Sequence, residues 1–109
     1  MVDVVFRRDS RQRLSSLFAS GHAGWADAGE DIVCAAVAAI LQAAWLGLSD
    51  VAGVPVDAEK AEGTLSLRWP EGARDDAAVH AIAATAERSI EVLAGQYPAH
   101  VAVRRETEP

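Results

Sequence analysis

The spacing of apolar residues switches between two and three-to-four along the chain, and each switch marks an element. Val2, Val4 and Phe6 alternate with Asp3, Val5 and Arg7, the pattern of a strand. The polar run Asp9-Ser10-Arg11-Gln12-Arg13 then offers a turn, and Leu14 to His22 returns as the second strand of a hairpin. Residues Gly21 to Glu30 read GHAGWADAGE, with Gly21, Gly24 and Gly29 and no sustained period, which predicts a loop. Asp31 is a good N-cap, and Val33, Val37, Ile40, Leu41, Ala44 and Leu48 recur at helical spacing until Ser49-Asp50 and Gly53-Val54-Pro55 stop the pattern.

A second hairpin is predicted from Val54 to Lys60 and Thr64 to Trp69, joined through Ala61-Glu62-Gly63. Asp75 or Asp76 caps a second helix whose stripe is Val79, Ile82, Ala86, Ile90 and Leu93, ending at Gly95. Gln96 to Glu106 alternates again, and the charged end from Arg104 to Pro109 is expected to fray. The order β-β-α-β-β-α-β implies an α+β, two-layer domain spanning 1–109, with a mostly antiparallel sheet carrying two helices on one face.

The first helix carries almost no polar residue on any side. It is therefore expected to be covered all round, by the sheet and by the second helix or another subunit, so a homodimer is anticipated. Its apolar stretch, Ile32 to Leu48, is Ala-rich and contains Gln42, which suits a buried helix better than a bilayer span of roughly 20 strongly apolar residues. The start, MVDVVFRRDS, lacks the pattern of a secretory signal, so a cytoplasmic protein without membrane contact is expected.

Charge and cysteine usage narrow the classes further. The formal net charge is −6 and the 10 Lys and Arg residues are scattered, which argues against nucleic acid and suits a basic protein or peptide partner. One cysteine excludes an internal disulfide framework, and the isolated His22, His80 and His100 do not supply a structural zinc site. No cofactor or metal is expected, and a reducing compartment fits.

Chemistry is concentrated at the one cysteine. With Asp31 as N-cap, Cys34 would stand at the third helical position, where unpaired backbone N–H groups and the helix dipole favour a thiolate. Such surroundings, or an imidazolium, lower a cysteine pKa from about 8.5 to roughly 3.5–7.5. His22 lies a foldable loop away and could act as base and then acid, while the N–H groups at the helix start, that of Cys34 included, could hold an oxyanion. By residue type alone, a lone cysteine in an Ala-rich helix reads more simply as a small core hydrophobe.

The segment GHAGWADAGEDIVCAAV changes that weighing, because it resembles the signature of the ribosomal-processing cysteine proteases, the Prp family. The resemblance is strongest over residues 20 to 41. It implies a cysteine endopeptidase that removes a short amino-terminal extension from the large-subunit ribosomal protein numbered twenty-seven, cutting after an aromatic pair, with Cys34 and His22 as the catalytic dyad. Asp31 matches the family's acid before the helix, where it orients His22 or simply caps. Gly21 belongs to the Gly-His pair, and the family's mobile segment corresponds to Ala23 to Glu30. There Gly24 and Gly29 are candidate hinges and Trp25 is a candidate contact for an aromatic substrate side chain, or else an ordinary packing residue. One departure is visible: the family commonly has a serine one helical turn after the cysteine, where this chain has Ala38.

Two other classes are compatible with these residues. A non-catalytic ribosome-associated binding protein of the same fold would hold a precursor without cleaving it. A redox-sensing thiol would oxidise faster than free cysteine, though the chain offers no resolving cysteine. Trp45 and Trp69 are expected in the core, His80 and His100 away from the chemistry, and Asp27 and Glu30 as solvated loop charges.

Overall fold

The computed structural model describes residues 1–21 and 28–109, and for 28–31 the backbone alone. Five strands, β1 (Val2–Arg8), β2 (Leu14–Ser20), β3 (Asp57–Ala61), β4 (Thr64–Arg68) and β5 (Val101–Thr107), and two helices, α1 (Ala28–Leu46) and α2 (Ala77–Gln96), follow the expected order. The sheet runs β3-β4-β2-β1-β5 and is antiparallel throughout except where β5 lies parallel to β1. The arrangement is the predicted α+β fold, with both helices packed on one face.

Side-chain alternation decides which face that is. Val2, Val4 and Phe6 of β1, Leu17 and Ala19 of β2, Leu67 of β4 and Val101 of β5 join one buried cluster. The same cluster takes in Val33, Val37, Leu41, Ala44 and Leu48 from the first helical segment and Val79, Ala83, Ala86 and Ile90 from α2. Val5 is also buried, but it pairs with Phe18 in the opposite register phase and stands outside that cluster. Trp69 fills the floor of the core and donates from Nε1 to the carbonyl of Leu14 at 2.8 Å.

Three expectations are corrected. The first helix begins at Ala28, so Asp31 is its fourth residue rather than its N-cap, and a π turn (Gly47–Val51) extends it at the other end. Within one chain that helix is covered in part: one flank meets the sheet and another meets α2, where a Cβ on Gly47 would stand 3.1 Å from Ile82 Cγ2, and Ile32 is 70% and Leu46 57% exposed. By length and composition Ile32–Val51 would suffice to cross a bilayer, but its apolar stripe is taken up by the sheet. The carboxyl-terminal end is pinned, because the Glu108 amide donates to the Arg8 carbonyl at 2.7 Å and its carboxylate is held by Arg68. Finally, Trp45 is only half-buried.

Candidate active site

The first hairpin delivers the chain to the site through a glycine whose replacement would strain the backbone. Gly21 has φ +113°, and a Cβ there would lie 2.3 Å from the Met1 carbonyl oxygen and 2.9 Å from Val2 Cα. Its amide donates to the Gly63 carbonyl at 3.2 Å, tying the end of β2 to the turn between β3 and β4. The fit of three backbone segments therefore sets where the chain leaves the sheet.

Above this corner, α1 presents Cys34, Ala38, Leu41 and Trp45, spaced four, three and four apart and hence on one flank. That flank forms one wall of a cavity of about 350 Å³. The opposite wall is the sheet, through Ala19, Gly21, Lys60, Thr64 and Leu65. Cys34 is in no disulfide and is half-buried, packed against the core on one side and opening into the cavity on the other. It is neither sealed in packing nor held out in solvent, a placement that allows both shielding of the sulfur and approach of a substrate.

The early start of α1 changes the local electrostatics. Cys34 is the seventh helical residue, so the four unpaired N–H groups of the helix belong to residues 28–31, and the amide of Cys34 lies within the hydrogen-bonded part of the helix. The expected use of that amide as an oxyanion donor is thus withdrawn, and the dipole, which acts mainly over the first turn, is displaced from the sulfur.

The structure brings Gly21 and Cys34 to the walls of one cavity. His22, Gly24 and Trp25 lie outside the described residues, as does Asp27. Asp31 and Gly29 stand in the first turn of α1. Ala38, one helical turn after Cys34, lines the cavity. Among the cavity residues without a site role in the sequence are Gln42 and Trp45, both on the Cys34 flank, and Lys60, which only the strand register brings opposite them. The helical spacing from Cys34 to Trp45 was the available signal for the first two.

A five-stranded, mostly antiparallel sheet with two helices on one face and a cysteine opening beside the first helix is the layout of a small cysteine-protease fold. The protein SMU.848 of Streptococcus mutans has a crystal structure that superposes with a TM-score of 0.91 at 27% identity, over 99% of this chain and 96% of that one. The essential ribosomal processing protease Prp from S. aureus, in complex with a substrate peptide, gives a TM-score of 0.86 at 19% identity, over 96% of this chain and 99% of that one. Its complex with a covalently linked product peptide gives 0.80 at 18% identity, with the same coverage. None of the curated proteins matches the chain. The model of the family described as cysteine protease Prp matches residues 1–102, and the chain belongs to that family.

Proposed function

We propose that this chain is a cysteine endopeptidase that removes a short amino-terminal extension from a large-subunit ribosomal protein precursor, the one numbered twenty-seven, cutting after an aromatic residue. The observation that carries the reading is the placement of Cys34: the one thiol of a chain in a cysteine-protease family opens into a mainly apolar cavity. The S. aureus Prp structures with substrate and product peptides support a peptide as its occupant.

In this mechanism the Cys34 thiol gives its proton to His22 and the sulfur attacks the scissile carbonyl carbon. His22 then protonates the departing amine, and water, activated by the same imidazole, releases the acyl group from the sulfur. Because the dipole of α1 is strongest one turn before Cys34, activation of the thiol rests chiefly on the imidazole. Support for His22 in that role comes from connectivity, since the chain leaves the cavity wall at Gly21, the residue immediately before it. Residues Trp45, Leu41 and Leu65 offer an apolar surface suited to an aromatic side chain next to the cleaved bond.

The test is cleavage of a synthetic precursor peptide, followed by mass spectrometry. Wild-type protein should cut once, after an aromatic residue, and both Cys34→Ala and His22→Ala should be nearly inactive. Cleavage that survives in Cys34→Ala would end the proposal, and tight binding without any cleavage would favour the binding-protein reading. We further propose a cytoplasmic homodimer in which a second copy covers the exposed Ile32, Leu46 and Val51. Sedimentation velocity should give a single species of twice the chain mass, and a monomer at tens of micromolar would refute it.

A further inference from the structure

Among the described residues every arginine but Arg11 bridges a carboxylate, whereas Lys60, the only lysine of the chain, bridges none. Lys60 is also the only charged side chain among the described residues that line the Cys34 cavity. Its position follows from register. Val4 pairs with Ala19, Ala19 with Leu65 and Leu65 with Lys60, so these four form one row across the sheet on the helix-covered face. Exposure rises along that row, from the sealed Val4 through the half-buried Leu65 to the exposed Lys60, because α1 stops covering the sheet before β3. The row is the floor of a groove that starts beneath Cys34 and ends at an unneutralised ammonium.

We infer that Lys60 selects peptides that carry a carboxylate side chain two to four residues from the cleaved bond. The inference rests on the peptidase reading of the site and names a feature of its substrate. Strands lie about 4.8 Å apart, so Lys60 on β3 is about 10 Å from β2, and an extended peptide that advances about 3.3 Å per residue covers this in about three residues. A carboxylate arriving there meets an exposed cation that bridges no carboxylate among the described residues, so the pair forms without displacing another partner. The net charge of −6 acts differently, since it draws a basic substrate body over longer distances, and Lys60 reverses the preference locally.

The experiment uses fluorogenic decapeptides with a central phenylalanine and a single Glu walked through every other position, each paired with its Gln twin. For wild type, kcat/KM should favour Glu over Gln by about threefold at a position two to four residues from the cleaved bond, the scale of an exposed ion pair, and the ratio should shrink with added salt. It should fall to one in Lys60→Met and below one in Lys60→Glu. A ratio of one at every position in wild type, or a ratio unchanged in Lys60→Met, overturns the inference. If wild type cleaves none of the peptides, the peptidase reading fails separately. The same Glu-to-Gln comparison, measured as Kd on Cys34→Ala protein with and without Lys60→Met, then decides the role of Lys60.

Discussion

The two ends of the sheet are built on opposite principles. At the end where β1 turns into β2, Asp9 is buried and accepts from the amides of Arg11 and Arg13 at 2.9 and 3.1 Å, while the Arg13 and Arg74 guanidiniums reach it at 3.0 and 3.1 Å. Arg13 continues to Glu71 and Asp75 ahead of α2, and Arg74 donates to the Trp69 carbonyl at 3.0 Å. Nearby, Arg8 grips Glu87 of α2 with two bonds of 2.8 Å, and Arg68 holds Glu108. At the other end, where β2 releases the chain at Gly21, the described residues offer mostly apolar walls, a half-buried thiol and a lone lysine. Charge clamps the first end shut, and the second is left open for a substrate. The lesson is one of division: a domain this small secures its layers at one end so that the other can afford a cavity.

The largest expected effect comes from filling the one tight corner of the open end. Gly21→Ala should cost about 2–4 kcal/mol, because both a positive φ and a collision with the Met1 carbonyl must be relieved. Urea unfolding should show the loss, and peptide cleavage measured well below the unfolding midpoint should fall as well, since the change displaces the exit of the chain from the cavity wall. At the clamped end, Glu87→Gln should cost about 1–2 kcal/mol, less than a fully buried pair because Arg8 retains some solvent contact. Alkylation of Cys34 should be unaffected by it, and a change there would break the division between the ends.

Acid should attack the clamped end first. Burial alone would raise the Asp9 pKa, but the Arg13 amide, the Arg74 guanidinium and the Arg11 amide outweigh it and lower the value to about 2. The unfolded chain binds this proton near the ordinary 3.8, so the stabilisation present above that pH is lost as pH falls toward about 2. Glu87, held low chiefly by its hydrogen bonds from Arg8, and Glu108, held low chiefly by Arg68, act in the same direction. Thermal melts at pH 5, 3.5 and 2.5 should show a progressive drop in Tm, and a Tm unchanged at pH 2.5 would contradict the clamp. The smallest effect is at the start of α2, where Asp76 accepts from the amides of Ala78 and Val79 at 2.8 and 3.1 Å. Asp76→Ala should cost about 1 kcal/mol in urea unfolding, without effect on cleavage.

Local patterns made the order of elements and the sheet-facing stripes legible from sequence. Val4 and Phe6, or Val79, Ala86 and Ile90, declare their face by spacing alone. What escaped depends on contacts between residues far apart in the chain. The pinned end was read as fraying because Glu108 finds its partners at Arg8 and Arg68, and charge density by itself says nothing of such pairing. The start of α1 lies four residues before the one an Asp31 cap would give, because a cap preference does not bar the same residue from an interior turn. Cys34 and Gly21 were legible through a local motif, whereas Lys60 reaches the cavity only through the β2–β4–β3 register.

The central claim is that the open end holds a thiol activated by an imidazole, and the rate of Cys34 alkylation by iodoacetamide against pH tests it most directly. Wild-type protein should reach its plateau rate well below the pH of about 8.5 at which an ordinary cysteine is half ionised, and His22→Ala should shift the midpoint up toward that value. A wild-type profile that coincides with that of free cysteine, unaltered in His22→Ala, would contradict the account.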